Sequence, residues 1–256
     1  MRFIVDHSNL LSWPLFAAGT MDLDEAPYCV SILRPGETFV DVGANWGYYT
    51  LLASDKVGCT GRIVAIEADP RNYALLHRTI TLNHLKQVEC IQIAVGPESG
   101  TVQFVTCPEN LPNQGISHIK GLHRPTSLAG NRAKMESNIQ QVFNVEARPL
   151  DLILKEANIH HVDLLKMDIE GAEALAVQGM KQGLNQQTYR RIFLELHSNL
   201  LHEYNSSLAS ITEFLRSFGY QIFHYQKGRV SPFKIDNATE PRPLIVALAE
   251  SIPVPA

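Results

Sequence analysis

The sequence predicts an α/β fold: a seven-stranded sheet with helices on both faces and a long insertion after the third strand. Three observations predict it. Short β-rich apolar runs alternate with helical patterns, a glycine turn joins the first run directly to a helix, and the second run ends in a carboxylate. The 256 residues are 45 % apolar and 19 % charged with a net charge of -4, the composition of a folded chain.

The elements follow in order. A helix is expected over 24–33, with Pro27 in its first turn and Arg34-Pro35-Gly36 closing it, inside an N-terminal helical segment of residues 1–34. Strands are expected over 38–41, 62–67, 88–93, 162–168, 191–195, 220–225 and 244–249. After the second, Asp69 caps a helix that has Pro70 at its first position and Tyr73, Leu76 and Ile80 on one face. Ser207 caps another, with Leu208, Ile211, Leu215 and Phe218 as its apolar stripe and Gly219 as its stop. After the third strand, Gly96-Pro97-Glu98-Ser99-Gly100 is a turn, and 101–105 alternates as an antiparallel return should. Residues 107–143 then lose periodicity, and a loop of that length reads as a substrate-capping insertion within a single domain spanning 1–256.

Composition also narrows the partners. The longest stretch without a charged residue, His7 to Met21, is interrupted by Pro14, so no membrane span is expected. Four scattered cysteines without a C-x-x-C pair, and no export signal, point to a cytoplasmic address. No run of Lys or Arg offers a footprint for nucleic acid, which leaves a small-molecule acceptor.

The segment Asp41-Val42-Gly43-Ala44-Asn45-Trp46-Gly47 carries the most information. A buried strand ends in an acid, glycines let the backbone approach a ligand, and a helix starts at once. Glu67, about twenty residues beyond Gly47, can accept both hydroxyls of a ribose. The order does not match the G-x-G-x-x-G of dinucleotide sites, and Trp46, Tyr48 and Tyr49 crowd the path of a pyrophosphate. S-adenosylmethionine suits the turn better: Asp41 can attract its ammonium, and the amides near Asn45 to Gly47 can bind its carboxylate.

With Ala65-Ile66-Glu67-Ala68-Asp69-Pro70, Leu150-Asp151, Lys166-Met167-Asp168-Ile169-Glu170-Gly171-Ala172-Glu173, Phe193-Leu194-Glu195-Leu196-His197 and Phe218-Gly219-Tyr220 added, the chain resembles S-adenosylmethionine-dependent methyltransferases of the FkbM type. The resemblance implies a class I methyltransferase (Rossmann-like) sheet and O-methylation of a hydroxyl on a sugar, glycan or polyketide-like molecule. It implies Asp41, Gly43, Asn45, Gly47 and Glu67 as cofactor-binding residues, with the backbone near Ala94 flanking adenine.

A hydroxyl acceptor must lose its proton, which calls for a base or a cation. Asp168, Glu195 and His197 end the fourth and fifth strands at the edge where ligands of open sheets collect, and His197 is the expected base because an ordinary imidazole titrates near neutrality. The same three side chains are able to hold a divalent ion through two carboxylates and an imidazole, but the base is preferred and no metal ligand is assigned. Glu170 and Glu173 are read as helix-start acids, Lys166 as a partner for one of the acids, and His160-His161 as surface. Two other functions remain open: an NAD-dependent oxidoreductase, and a protein that binds S-adenosylmethionine without catalysis.

Overall fold

The computed structural model describes residues 1–4, 25–106, 118–119, 141–197, 201–226, 229–234 and 242–247. Side chains alternate between the faces of a strand, and here both faces are covered. In β1 (Thr38–Val42), Phe39 packs with Cys29, Val30 and Leu33 around α1 (Glu25–Ser31) and with Ala53 and Val57 of α2 (Tyr48–Val57). Val40 and Val42 face the other way, onto Leu150, Ile153 and Leu154 of α4 (Leu150–Glu156). Such runs read as continuously apolar because neither face meets water.

Between these lie β2 (Arg62–Ile66), α3 (Pro70–Leu82) and β3 (Val88–Ile91). The Asp69 cap forms as expected: its carboxylate accepts from the Arg71 N–H at 2.8 Å with Pro70 at the first helical position, and Leu76 and Ile80 are buried. Beyond α4 come β8 (Leu164–Met167), α5 (Glu173–Gln178), α6 (Lys181–Asn185), β9 (Arg191–Leu196), a 3-10 turn over Leu201–Tyr204, α7 (Leu208–Ser217), β10 (Gln221–Gln226), β11 (Arg229–Pro232) and β12 (Arg242–Ala247). Ser207 caps α7 by accepting from the Ser210 N–H at 3.0 Å, and Gly219 follows the helix at φ +87°.

The main sheet has the order β11-β10-β12-β9-β8-β1-β2-β3. Its five strands from β9 to β3 are parallel, while β12 runs antiparallel to β9 and β10. All seven expected strands are present, and the eighth, β11, pairs in a hairpin with β10. Parallel pairing puts the carboxyl ends of β1, β2, β8 and β9 at one edge.

The interval after β3 departs from the expected loop. β4 (Ala94–Val95), β5 (Gly100–Thr106), β6 (His118–Ile119) and β7 (Gln141–Arg148) form a second sheet of order β4-β7-β5-β6. The expected return over 101–105 is β5, antiparallel to β7. Residues 118–119 and 141–143 of the expected insertion are therefore strand; the rest of 107–143 lies outside the described residues, as do Asp24 and most of the N-terminal segment.

Candidate active site at the tips of β1, β2, β8 and β9

The turn after β1 is held by its neighbour. The N–H groups of Gly43 and Ala44 both donate to the Ile66 carbonyl at 3.0 Å, and Gly43, Asn45 and Gly47 all take positive φ (+78°, +51° and +90°). At Gly43 the absence of a side chain is a necessity: a Cβ there would stand 1.9 Å from the Asp168 carbonyl oxygen. Gly43 thus sets how closely the tips of β1 and β8 approach.

Glu67, buried just past β2, braces this turn. Its Oε2 accepts from the Asn45 N–H at 2.7 Å and its Oε1 from the Asp69 N–H at 2.8 Å. Burial nevertheless pushes its carboxyl up to about 7, the two amides offsetting only part of the desolvation. Each oxygen keeps a lone pair for a further donor. The Asn45 Oδ1 is buried without a hydrogen-bond partner. Trp46 is turned into the protein, its Nε1 donating to Asn72 Oδ1 at 3.0 Å. Ala94 starts β4 beside this edge, buried with Phe104, Val145 and Ala147.

Asp41 is met from within the chain. Its Oδ2 accepts from Thr50 Oγ1 at 2.6 Å, and its Oδ1, without a hydrogen bond, stands 3.9 Å from Lys166 Nζ. Burial raises the Asp41 carboxyl, and Lys166 works against that rise. Lys166 is only 4 % exposed. Its ammonium also approaches Asp168 Oδ2 at 3.5 Å and the Gly43 carbonyl at 3.4 Å, and lies 4.8 Å over the Tyr49 ring. The expectation that Lys166 pairs with one of the tip acids is met by Asp168, and Asp41 is a second partner.

At the tips of β8 and β9, Asp168, Glu170 and His197 come together: one donor atom from each lies within 4.8 Å of the others. The expected trio of Asp168, Glu195 and His197 is thus changed in one member, because Glu170, at φ +55°, brings its Oε2 to 3.7 Å from His197 Nε2. Glu195 stays nearby: burial first, then the charge of Asp168, pushes it up to about 8.

Glu173 organises the group, a role that the helix-start reading missed. It is the first residue of α5, yet its Oε1 accepts from the N–H groups of Ile169 (3.2 Å) and Gly171 (3.0 Å) and lies 2.9 Å from His197 Nδ1. Burial by itself would lower the His197 imidazole. The hydrogen bond to Glu173 and the charges of Glu173, Asp168 and Glu170 outweigh it and raise the ring to about 9. The ordinary imidazole invoked from sequence is therefore not the one found: the acids around this ring raise its proton affinity. His160 and His161 are exposed, as expected.

A family model described as the methyltransferase FkbM domain matches residues 41–222. Methyltransferase 1 of Beauveria bassiana is 27 % identical over 160 residues, covering 61 % of this chain and 61 % of its own length. The 2-O-methyltransferase NoeI of Sinorhizobium fredii is 25 % identical over 74 % of this chain and 75 % of its own. The 31-O-demethyl-FK506 methyltransferase FkbM of Streptomyces tacrolimicus is 26 % identical over the same shares. The chain thus spans about three fifths of the length of the first of these relatives. Among the described residues, no helix is long and apolar enough to cross a membrane. The matched stretch opens at Asp41 and takes in Glu67, Asp168, Glu173 and His197, so that fold, tip residues and family model agree: this chain belongs to the FkbM methyltransferase family.

Proposed function

We propose that this chain transfers the methyl group of S-adenosylmethionine to a hydroxyl of a small acceptor, a sugar, glycan or polyketide-like molecule. The observation that carries the cofactor half is Glu67: a buried carboxylate tied through both oxygens to the amides of Asn45 and Asp69, with acceptor capacity left over beside a glycine turn. The turn also has two buried oxygens without hydrogen-bond partners, Asn45 Oδ1 and Asp41 Oδ1. A ligand rich in donors, with a ribose diol and an ammonium, fits that set. In this reading Glu67 takes the ribose, Asp41, Gly43, Asn45 and Gly47 line the methionine end, and the backbone at Ala94 flanks adenine. When bound, the cofactor supplies a methyl carbon made electrophilic by its sulfonium sulfur.

The chain's own part is to hold an acceptor oxygen in line, exclude water and accommodate the proton that this oxygen loses. Asp168, Glu195 and His197 are assigned that part: the surrounding acids raise the proton affinity of the imidazole, and Glu173 engages Nδ1, leaving Nε2 on the side of Glu170. Two relatives named for O-methylation support oxygen as the acceptor atom. Membership of a methyltransferase family sets aside the NAD-dependent oxidoreductase.

Calorimetric titration with S-adenosylmethionine and with NAD, followed by methyl-labelled transfer to a panel of hydroxylated sugars and polyketides, tests the proposal. Binding of S-adenosylmethionine and label in an alkali-stable ether are expected. Affinity for NAD alone would overturn it. Cofactor binding with no transfer by wild type or His197→Ala to any acceptor would instead mark a non-catalytic binding protein.

A further inference from the structure

We propose that Asp168, Glu170 and His197 form a site for one divalent cation of the Mn2+ class. Two carboxylates from the turn after β8 and an imidazole from the end of β9 present one donor atom each within 4.8 Å of one another, a spacing that a single ion can bridge with small side-chain shifts.

The independent observation is Glu173, which stands outside the trio. Histidines that ligate metals nearly always give their second ring nitrogen to a carboxylate, which fixes the ring and makes the free nitrogen a better ligand. Glu173 Oε1 lies 2.9 Å from His197 Nδ1, leaving Nε2 on the side of Glu170 Oε2 at 3.7 Å. The same Oε1 accepts from the N–H groups of Ile169 and Gly171, locking the turn in which Glu170 takes φ +55° and Gly171 φ +106°. One carboxylate therefore aims two of the three ligands. Glu173 is wholly buried and its Oε2 has no hydrogen-bond partner, so the carboxylate that engages Nδ1 is itself incompletely satisfied.

The donor set selects the ion. Two carboxylate oxygens and one imidazole suit Mn2+ or Fe2+; Ca2+ takes oxygen cages, and Mg2+ accepts nitrogen poorly. Three protein ligands leave open positions for oxygen ligands. That an acceptor hydroxyl takes one of them rests on the methyl-transfer reading above; the site itself does not.

The experiment adds Mn2+ to the chelator-stripped full chain and follows free Mn2+ by electron paramagnetic resonance, with S-adenosylmethionine affinity measured in parallel. One Mn2+ per chain is expected. Glu170→Gln and His197→Gln should each weaken binding at least about 10-fold, Glu173→Gln by about 10- to 100-fold, and Asp55→Asn, exposed on α2, not at all. Circular dichroism establishes that each variant is folded, and Glu170→Gln alters a partly exposed side chain while keeping its size and shape. No uptake of Mn2+, or uptake undiminished in folded Glu170→Gln, overturns the site. If S-adenosylmethionine binds while Mn2+ does not, the cation site falls and the methyl-transfer reading stands. If Mn2+ binds while S-adenosylmethionine does not, the reverse holds.

Discussion

At the tips of β1 and β2, Asp41 and Glu67 are met by a hydroxyl and two backbone amides, whereas at the tips of β8 and β9 the acids Asp168, Glu170, Glu173 and Glu195 gather around one histidine. The first region is built from dipoles, whose strength does not depend on what is bound. The second is built from charges, whose mutual repulsion only a proton or a cation relieves. Lys166 stands between the two and serves both, 3.9 Å from Asp41 and 3.5 Å from Asp168. A region held by neutral donors therefore sits beside one whose state depends on its counter-ions.

The largest expected effect comes from removing the contact that joins the regions. Gly43→Ala would drive a methyl group into the Asp168 carbonyl at a backbone angle alanine resists, and should cost on the order of 4 kcal/mol or more in urea unfolding. If Gly43→Ala unfolds within 1 kcal/mol of wild type, roughly the ordinary cost of a point mutation, the tips are not in hard contact. Next comes the shared cation. Lys166→Met leaves the buried Asp41 and the partly exposed Asp168 without their ammonium and should destabilise by about 3 kcal/mol at pH 7. Loss of stability without any change in Mn2+ or cofactor binding would show that Lys166 supports the fold and neither pocket.

A pH series separates the dipolar region from the charged one. Glu67 keeps its proton in the folded chain up to about pH 7, where the unfolded chain has lost it near 4.5. Its contribution to stability therefore declines as pH rises between those values, by at most ~3 kcal/mol, and is level above them. A ligand that donates hydroxyls to Glu67 favours the ionised form, so cofactor affinity should run the opposite way, about 10-fold weaker at pH 6 than at pH 8. Proton release on binding, measured as heat in buffers of different ionisation enthalpy, checks this; equal heats would remove Glu67 from the contact. The smallest effect serves as a control. Ser207→Ala, remote from both regions, should cost about 1 kcal/mol through the lost cap of α7 and leave both binding reactions unchanged in calorimetry.

What could be read from the chain before folding divides along the same line. The glycine turn, Glu67 and the caps at Asp69 and Ser207 are local devices, in which residue type and spacing dictate the backbone that forms. All seven expected strands rest on apolar runs, those of β1, β2, β8 and β9 buried on both faces, and they are found where periodicity puts them. β7 also alternates, with Val145 and Ala147 buried between exposed Asn144 and Glu146, but its partner strands lie far off in sequence, so its first residues, 141–143, read as the end of a loop. Nothing local marks Glu173 as the residue that aims His197, because the two are 24 positions apart and meet only when β8 and β9 pair. The imidazole's raised proton affinity has no local signal for the same reason: it is set by acids that folding brings to it.

The missing side chain at Gly43 has a further consequence. With no gap between the loop after the first strand and the peptide of Asp168, neither can slide without displacing the other. A shift of the glycine turn would therefore be passed to the peptide of Asp168, and the proposed cofactor and cation sites would share that single wall.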